Sequence, residues 1–264
     1  MTWAPRGHTL GVATPGGAMT VWSVADPAHP VRLAHMTAPG FPAGATPGPL
    51  FSPDGRLLAA EPLPISSNAG YFPVSIFDAS RGKLIRTLQP DAGVVRSAAF
   101  SPDSQTLAVL VWDTGSSTGR VVLYDVPTGR SRGTLFLPYI SDSVVFVAGG
   151  RWLATGEFNL SFLTNGSPLG RVDLWDRATL LPIGEPLTIP GGASHLATDQ
   201  PGGNLITTTT GWPTGTPTVL DLDPSHWQAT ACRLAGRNLT RAEWAQYIPG
   251  RPYQTTCPQW PASA

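Results

Sequence analysis

A stretch of nine residues, Phe51-Ser52-Pro53-Asp54-Gly55-Arg56-Leu57-Leu58-Ala59, returns at 100–108 as Phe-Ser-Pro-Asp-Ser-Gln-Thr-Leu-Ala. Weaker copies lie at Trp3-Ala4-Pro5-Arg6-Gly7-His8-Thr9-Leu10 and at Phe146-Val147-Ala148-Gly149-Gly150-Arg151-Trp152-Leu153-Ala154. The lead aromatics stand at 3, 51, 100 and 146, so the steps are 48, 49 and 46 residues. A near-constant period of this size makes each copy one supersecondary unit, stacked on its neighbours to bury a continuous core.

Composition narrows the class. Charged residues are 13%, and 29 Gly with 28 Pro mark many tight turns. Disorder shares that bias, but 41% apolar residues and nine Trp demand a packed interior. The chain is therefore expected to be all-β, with short strands joined by Gly- and Pro-rich turns. The formal net charge is zero and no basic stripe follows the repeat, which argues against a nucleic-acid partner. No apolar run approaches the roughly 18 residues of a membrane span, and Pro5, Arg6 and His8 interrupt the place of a signal peptide. A cytoplasmic location is the expectation.

Residues 94–137 show the unit most clearly. Val94–Ser101 is a β run, Pro102-Asp103-Ser104-Gln105 a turn, and Thr106–Trp112 a second run. After a loop at 113–119, Arg120–Val126 is a third run, Pro127-Thr128-Gly129-Arg130 a second turn, and Ser131–Leu137 a fourth run. Pro presets the backbone at the first central turn position, and Asp supplies a local acceptor. The third run ends alike in every unit: Val21-Trp22-Ser23-Val24, Ile76-Phe77-Asp78-Ala79, Leu123-Tyr124-Asp125-Val126, Leu174-Trp175-Asp176-Arg177 and Val219-Leu220-Asp221-Leu222. The aromatic is expected between sheets and the Asp at the start of a turn. Four antiparallel strands in under 50 residues make one propeller blade. Five units follow, at about 1–36, 48–90, 94–137, 143–189 and 193–222. The fifth lacks a fourth strand, so the β-propeller is expected to be incomplete or open, with edges that invite self-association.

Phe-Ser-Pro-Asp-Gly before the second strand and Leu-Trp-Asp at the end of the third resemble bacterial WD-repeat β-propellers over roughly residues 1–222. The Gly-His pair that the family places before the first strand is absent from every unit, so the blades are expected to rest more on apolar packing. The resemblance implies a protein-interaction scaffold or sensor of the WD-repeat type, acting in signal transduction.

Residues 223–264 leave the β pattern. Ser225-His226-Trp227-Gln228 and Thr240-Arg241-Ala242-Glu243 each read as a capping box opening a helix. Trp227, Thr230, Ala231 and Leu234 fall at helical spacing, and Gly236 suits the stop. Asp-Pro-Ser-His-Trp followed by Ala-Cys-Arg-Leu-Ala-Gly-Arg-Asn-Leu-Thr-Arg-Ala-Glu-Trp resembles the C-terminal extension of actinobacterial WD-repeat proteins. Relatives with this ending carry an N-terminal NTPase or kinase domain, so the resemblance implies the C-terminal part of a longer protein. Cys232 and Cys257 both lie in this tail. They are either a disulfide clamping it or two free buried thiols in a reducing cytoplasm.

Chemistry is sparse. No phosphate loop or Gly-x-Ser-x-Gly elbow occurs, and His8, His29, His35, His195 and His226 lack metal-ligand spacing. No catalytic residue, cofactor or metal site is expected. Asp54, Asp103, Asp78, Asp125, Asp176 and Asp221 are expected as turn residues. Asn159, Asn165 and Asn238 head glycosylation-like triplets. The loops between second and third strands, 61–73, 113–119, 157–170 and 211–217, do not repeat. Their Tyr71, Phe72, Phe158, Phe162 and Trp212 are either a protein-binding face or a cover folded over sheet edges. A propeller-type hydrolase such as a lactonase, or the remnant of a truncated gene, is the alternative to the scaffold.

Overall fold

A computed structural model describes residues 1–5, 7–41, 43–62, 72–157, 169–190, 195–199, 204–208 and 217–262. The chain divides into two units, Met1–Leu220 and Asp221–Ala264.

The first unit holds five antiparallel sheets in chain order. The first contains β1 (Thr2–Trp3), β2 (Thr9–Ala13), β3 (Ala18–Ser23) and β4 (Val31–Thr37). The second contains β5 (Pro47–Phe51), β6 (Leu57–Pro62), β7 (Val74–Asp78) and β8 (Leu84–Leu88). The third contains β9 (Val94–Phe100), β10 (Thr106–Trp112), β11 (Gly119–Asp125) and β12 (Ser131–Leu137). The fourth contains β13 (Ser141–Val147), β14 (Trp152–Glu157), β15 (Leu169–Asp176) and β16 (Leu187–Pro190). The fifth has β17 (His195–Thr198), β18 (Asn204–Thr208) and β19 (Thr218–Asp221). Each sheet is a meander, its strands neighbouring one another in sequence order.

The sheets stack face to face because their central strands are apolar on both sides. β10 is buried through Val111. Leu107, Val109 and Val111 join Ala59, Val74 and Ile76 of the second sheet in one cluster. Ala108 and Leu110 point the other way, to Val144, Phe146 and Leu153 of the fourth. Strand alternation thus sends successive side chains into different interfaces. The repeated aromatics fill these interfaces: Phe77 packs against Met19 and Val21, and Trp175 against the third sheet's Leu135 and Leu137. A register shift precedes the aromatic in three sheets, at Val21/Trp22, Ile76/Phe77 and Leu123/Tyr124. A bulge at the same repeat position bends the third strand just where its aromatic must reach the neighbouring sheet.

The first strands β5, β9, β13 and β17 line the inner edge of the stack. Among the described residues no closely packed pair of elements joins the first sheet to the fifth. The fold is an open β-propeller of about five blades. Among the described residues its last blade has three strands where the other four have four.

The second unit contains α1 (Pro224–Ala235) and α2 (Arg241–Tyr247). α1 starts two residues earlier than the capping-box reading places it. Asp223 is the N-cap and accepts from the Ser225 N–H, with Pro224 at the first helical position. Pro has no N–H to orphan and a preset φ, so Asp-Pro outcompetes Ser225 as the start. Gly236 closes α1 at φ 65°, a left-handed cap. α2 has the full capping box of Thr240 and Glu243.

Candidate functional site

The recurrent carboxylates are bound into turns. Asp78 Oδ1 accepts from the Ser80 N–H at 2.9 Å, the Ser80 hydroxyl at 2.7 Å and the Arg81 N–H at 2.9 Å. Asp125 accepts from Thr128 N–H and hydroxyl at 2.8 and 2.7 Å. Asp176 accepts from the N–H groups of Ala178 and Thr179. Asp221 accepts from the Asp223 N–H and meets His226 Nδ1 at 2.6 Å. These bonds favour the charged form. The Ser80 hydroxyl, then the Arg81 amide, hold Asp78 down to about 2. The Thr128 and Arg132 side chains do the same for Asp125.

Asp54 and Asp103 share a second arrangement. The preceding serines, Ser52 and Ser101, are fully buried. Ser52 Oγ donates to Asp54 Oδ1 at 2.6 Å and accepts from the Leu57 N–H at 2.9 Å. Ser101 repeats the pattern with Asp103 and with the Thr106 N–H. The hydroxyl therefore ties the turn to the strand that follows it. Burial pushes the Asp54 carboxyl up, but the Ser52 bond and the Arg56 N–H outweigh it, and the net shift is downward. The turn also needs a left-handed fifth residue, met by Gly55 and Gly150 and, at φ 59°, by Ser104. Ser104 contributes a hydroxyl that accepts from the Asp54 N–H at 3.2 Å, linking neighbouring blades.

A cavity of about 550 Å³ opens along the inner strands, with Asp54, Ser97, Ser143, Thr198 and Asp199 among its lining. Its serines bridge blades: Ser97 Oγ accepts from the Val144 N–H at 3.4 Å, and Ser143 Oγ from the Leu196 N–H at 3.1 Å. Both stand three residues before a lead phenylalanine, where the second blade has Gly48. Asp199 accepts from Asn204 N–H and Nδ2 at 2.9 and 2.6 Å. Among the described residues no group of three or more His, Cys, Asp or Glu is placed to hold a metal ion.

Of the loop aromatics, Phe72 is half-buried and stacks on Phe41 with ring centroids 5.9 Å apart. Tyr71, Phe158, Phe162 and Trp212 lie outside the described residues, as do Asn159 and Asn165.

Two features escaped the sequence reading. Glu61, on β6, has its carboxyl enclosed although the residue as a whole is partly exposed; burial raises it to about 8, against one hydrogen bond from the Ala98 backbone. Asn238 is 1% exposed and organises the tail. Its Nδ2 donates towards the carbonyls of Cys257, Trp260 and Pro261 at 3.2, 2.7 and 2.8 Å, and its Oδ1 accepts from the Cys257 N–H at 2.7 Å. Beside it, Cys232 and Cys257 form a disulfide with Cα atoms 5.4 Å apart. The only hint in the sequence was the position of Asn238 just after the α1 stop.

No family model matches the sequence, and no curated protein matches it. Solved structures match widely, with 1062 chains. One is hydrazine synthase of Kuenenia stuttgartiensis, at TM-score 0.60 and 18% identity, covering 85% of this chain and 64% of that one. The likeness is one of fold. The chain spans less than two thirds of that protein's length, and a fold so widely shared does not carry an activity with it.

Proposed function

We propose that the protein is a non-catalytic interaction module of the WD-repeat type, a scaffold or sensor within a larger signalling protein, and that it engages a protein partner or a second copy through its open fifth blade. The observation that carries this reading is β19. It pairs with β18 on one side and, among the described residues, with nothing on the other. An edge strand of this kind presents unpaired backbone N–H and C=O groups, which an added strand satisfies. Val219 on this strand is 62% exposed. The acidic groups of the inner cavity favour a non-catalytic role, since Asp54 and Asp199 are occupied by bonds within their own turns.

The test is Val219→Lys, which sets a charge on the exposed side of the edge strand and leaves the interfaces between blades alone. Affinity capture and light scattering compare it with wild type. Loss of a specific partner, or of a dimer, supports the reading. Identical partners and identical mass refute it.

No described helix is long and apolar enough to cross a membrane. The expected cytoplasmic location and the Cys232–Cys257 bond pull in opposite directions, because cytosolic thiol buffers keep cysteines reduced. We propose an oxidising compartment for the mature tail. Non-reducing mass spectrometry of protein alkylated in its native cells checks this, and free thiols at both cysteines would overturn it.

A further inference from the structure

We propose that the junction of the third and fourth blades binds a small oxyanion, phosphate or carboxylate, between Arg132, Arg151 and Arg177. The inference does not depend on the scaffold reading. A cavity of about 440 Å³ opens here, lined by these arginines with Asp176, Leu123 and Leu180.

The fourth blade departs from the repeat at two positions, and both line this cavity. The residue after the strand-three Asp is Ala79, Val126 or Leu222 in other blades, and all three are buried. In the fourth blade it is Arg177. Four residues after that Asp, the second and third blades place Gly82 and Gly129 in the left-handed region, at φ 67° and 73°. The fourth places Leu180 there, at φ 59°. A bulky residue in that region is strained, and such strain concentrates at functional sites. Gly133 opposite makes room for it: a Cβ there would stand 2.9 Å from Leu180 Cδ1. The strained leucine thus supplies an apolar wall that the second and third blades lack.

The arginines have capacity for a ligand. Arg177 uses one nitrogen on Thr106 Oγ1 at 2.7 Å and another on the Gly150 carbonyl at 3.3 Å, while the Asp103 carboxylate stands off at 4.0 Å. Arg132 donates to Asp125 Oδ2 from Nε at 2.8 Å and also from Nη2, so one edge of its fork is held by that carboxylate. Arg151 is exposed, with its guanidinium carbon 5.9 Å from the ring of its own neighbour Trp152. Asp176 is the one carboxylate in the lining, and its Oδ1 is taken by Ala178 and Thr179. Asp103 and Asp125 lie outside the lining. A lining with three arginines, one carboxylate and an apolar wall matches an oxyanion better than a cation or an apolar ligand.

Titration calorimetry at constant ionic strength, with inorganic phosphate in one arm and citrate in the other, tests the site. Saturable binding in either arm, weakened at least tenfold by Arg151→Gln and unchanged by Arg56→Gln at the matching position of the second blade, supports it, and the arm that responds identifies the source. Leu180→Gly, which sets there the residue of the second and third blades, should bind more weakly. Absence of saturable binding in both arms, or an Arg151→Gln variant with wild-type affinity, overturns the proposal.

Discussion

Replacing both tail cysteines, as Cys232→Ala with Cys257→Ala, should unfold the tail while leaving the blades intact. The bond closes a loop with a sequence separation of 25, which by chain entropy stabilises the folded form by about 3.5 kcal/mol. A unit as short as Asp221–Ala264 holds about 2–7 kcal/mol in total at typical stability per residue, so the bond is comparable to the whole. The rest of its core is thin. Among the residues of α1 only Cys232 is buried, and α2 contributes Trp244. The bonds that also hold α1 are local or few: His226 and Trp227 reach back to Asp221 at its start, Gln228 Nε2 donates to the Thr256 carbonyl at 2.8 Å, and Trp260 Nε1 donates to the Cys232 carbonyl at 3.1 Å. Amide hydrogen exchange reads the outcome directly. Protection should collapse across α1 while the β10–β11 ladder keeps its slow exchange as an internal control. Unchanged protection of α1 in the double variant would refute the reasoning, because it would show that the non-covalent contacts suffice.

Three further outcomes follow from named groups. Glu61 has a folded value raised to about 8, so the folded state holds a proton that the unfolded state releases above about 4.5, and stability falls as pH rises between these values. Glu61→Gln should match wild type near pH 4 and exceed it by up to about 3 kcal/mol at pH 7 in urea melts. Asp78 and Asp125 have the opposite sign: with folded values of about 2, their contribution is full above about pH 4 and is lost as pH falls towards 2. Asp78→Asn should therefore lower the melting temperature at pH 7 and converge on wild type near pH 2. Asn238→Ala strands buried carbonyls and the Cys257 N–H, and should cost the tail about 2–3 kcal/mol; Asn238→Asp keeps the acceptor but loses both donors, and tail exchange should show it no more stable than the alanine variant.

The repeat made the blades readable. Lead aromatics at 3, 51, 100 and 146 sit at or near the ends of inner strands, and the Asp that ends the third strand in the second to fifth blades starts a turn because its side chain is short enough to accept from amides two or three residues on. The three-stranded last blade was readable for the same reason: Asp223-Pro224 ends the β pattern before a fourth run begins. Features that depend on contacts between distant residues were not readable. Ser104 looks like a poor substitute for glycine until its hydroxyl is seen beneath the Asp54 amide. Asn238 gathers partners 18 to 23 residues away, a convergence that local spacing does not encode. Glu61 sits near the end of an apolar strand, where a glutamate reads as the start of a loop; the packing of the next blade encloses it. The α1 start was misplaced because the Ser225 box and the Asp223-Pro224 cap compete two residues apart, and only the backbone decides between them.

Hydrogen exchange of the β19 amides, resolved residue by residue, tests the open fifth blade most directly. In an antiparallel edge strand alternate amides point away from the sheet. The purified chain at low concentration should therefore show alternating fast and slow exchange from Thr218 to Asp221, with added partner or higher concentration slowing the fast set. Uniform protection of these amides at all concentrations, equal to that of β11, would show that the blade is already complete and would contradict the account.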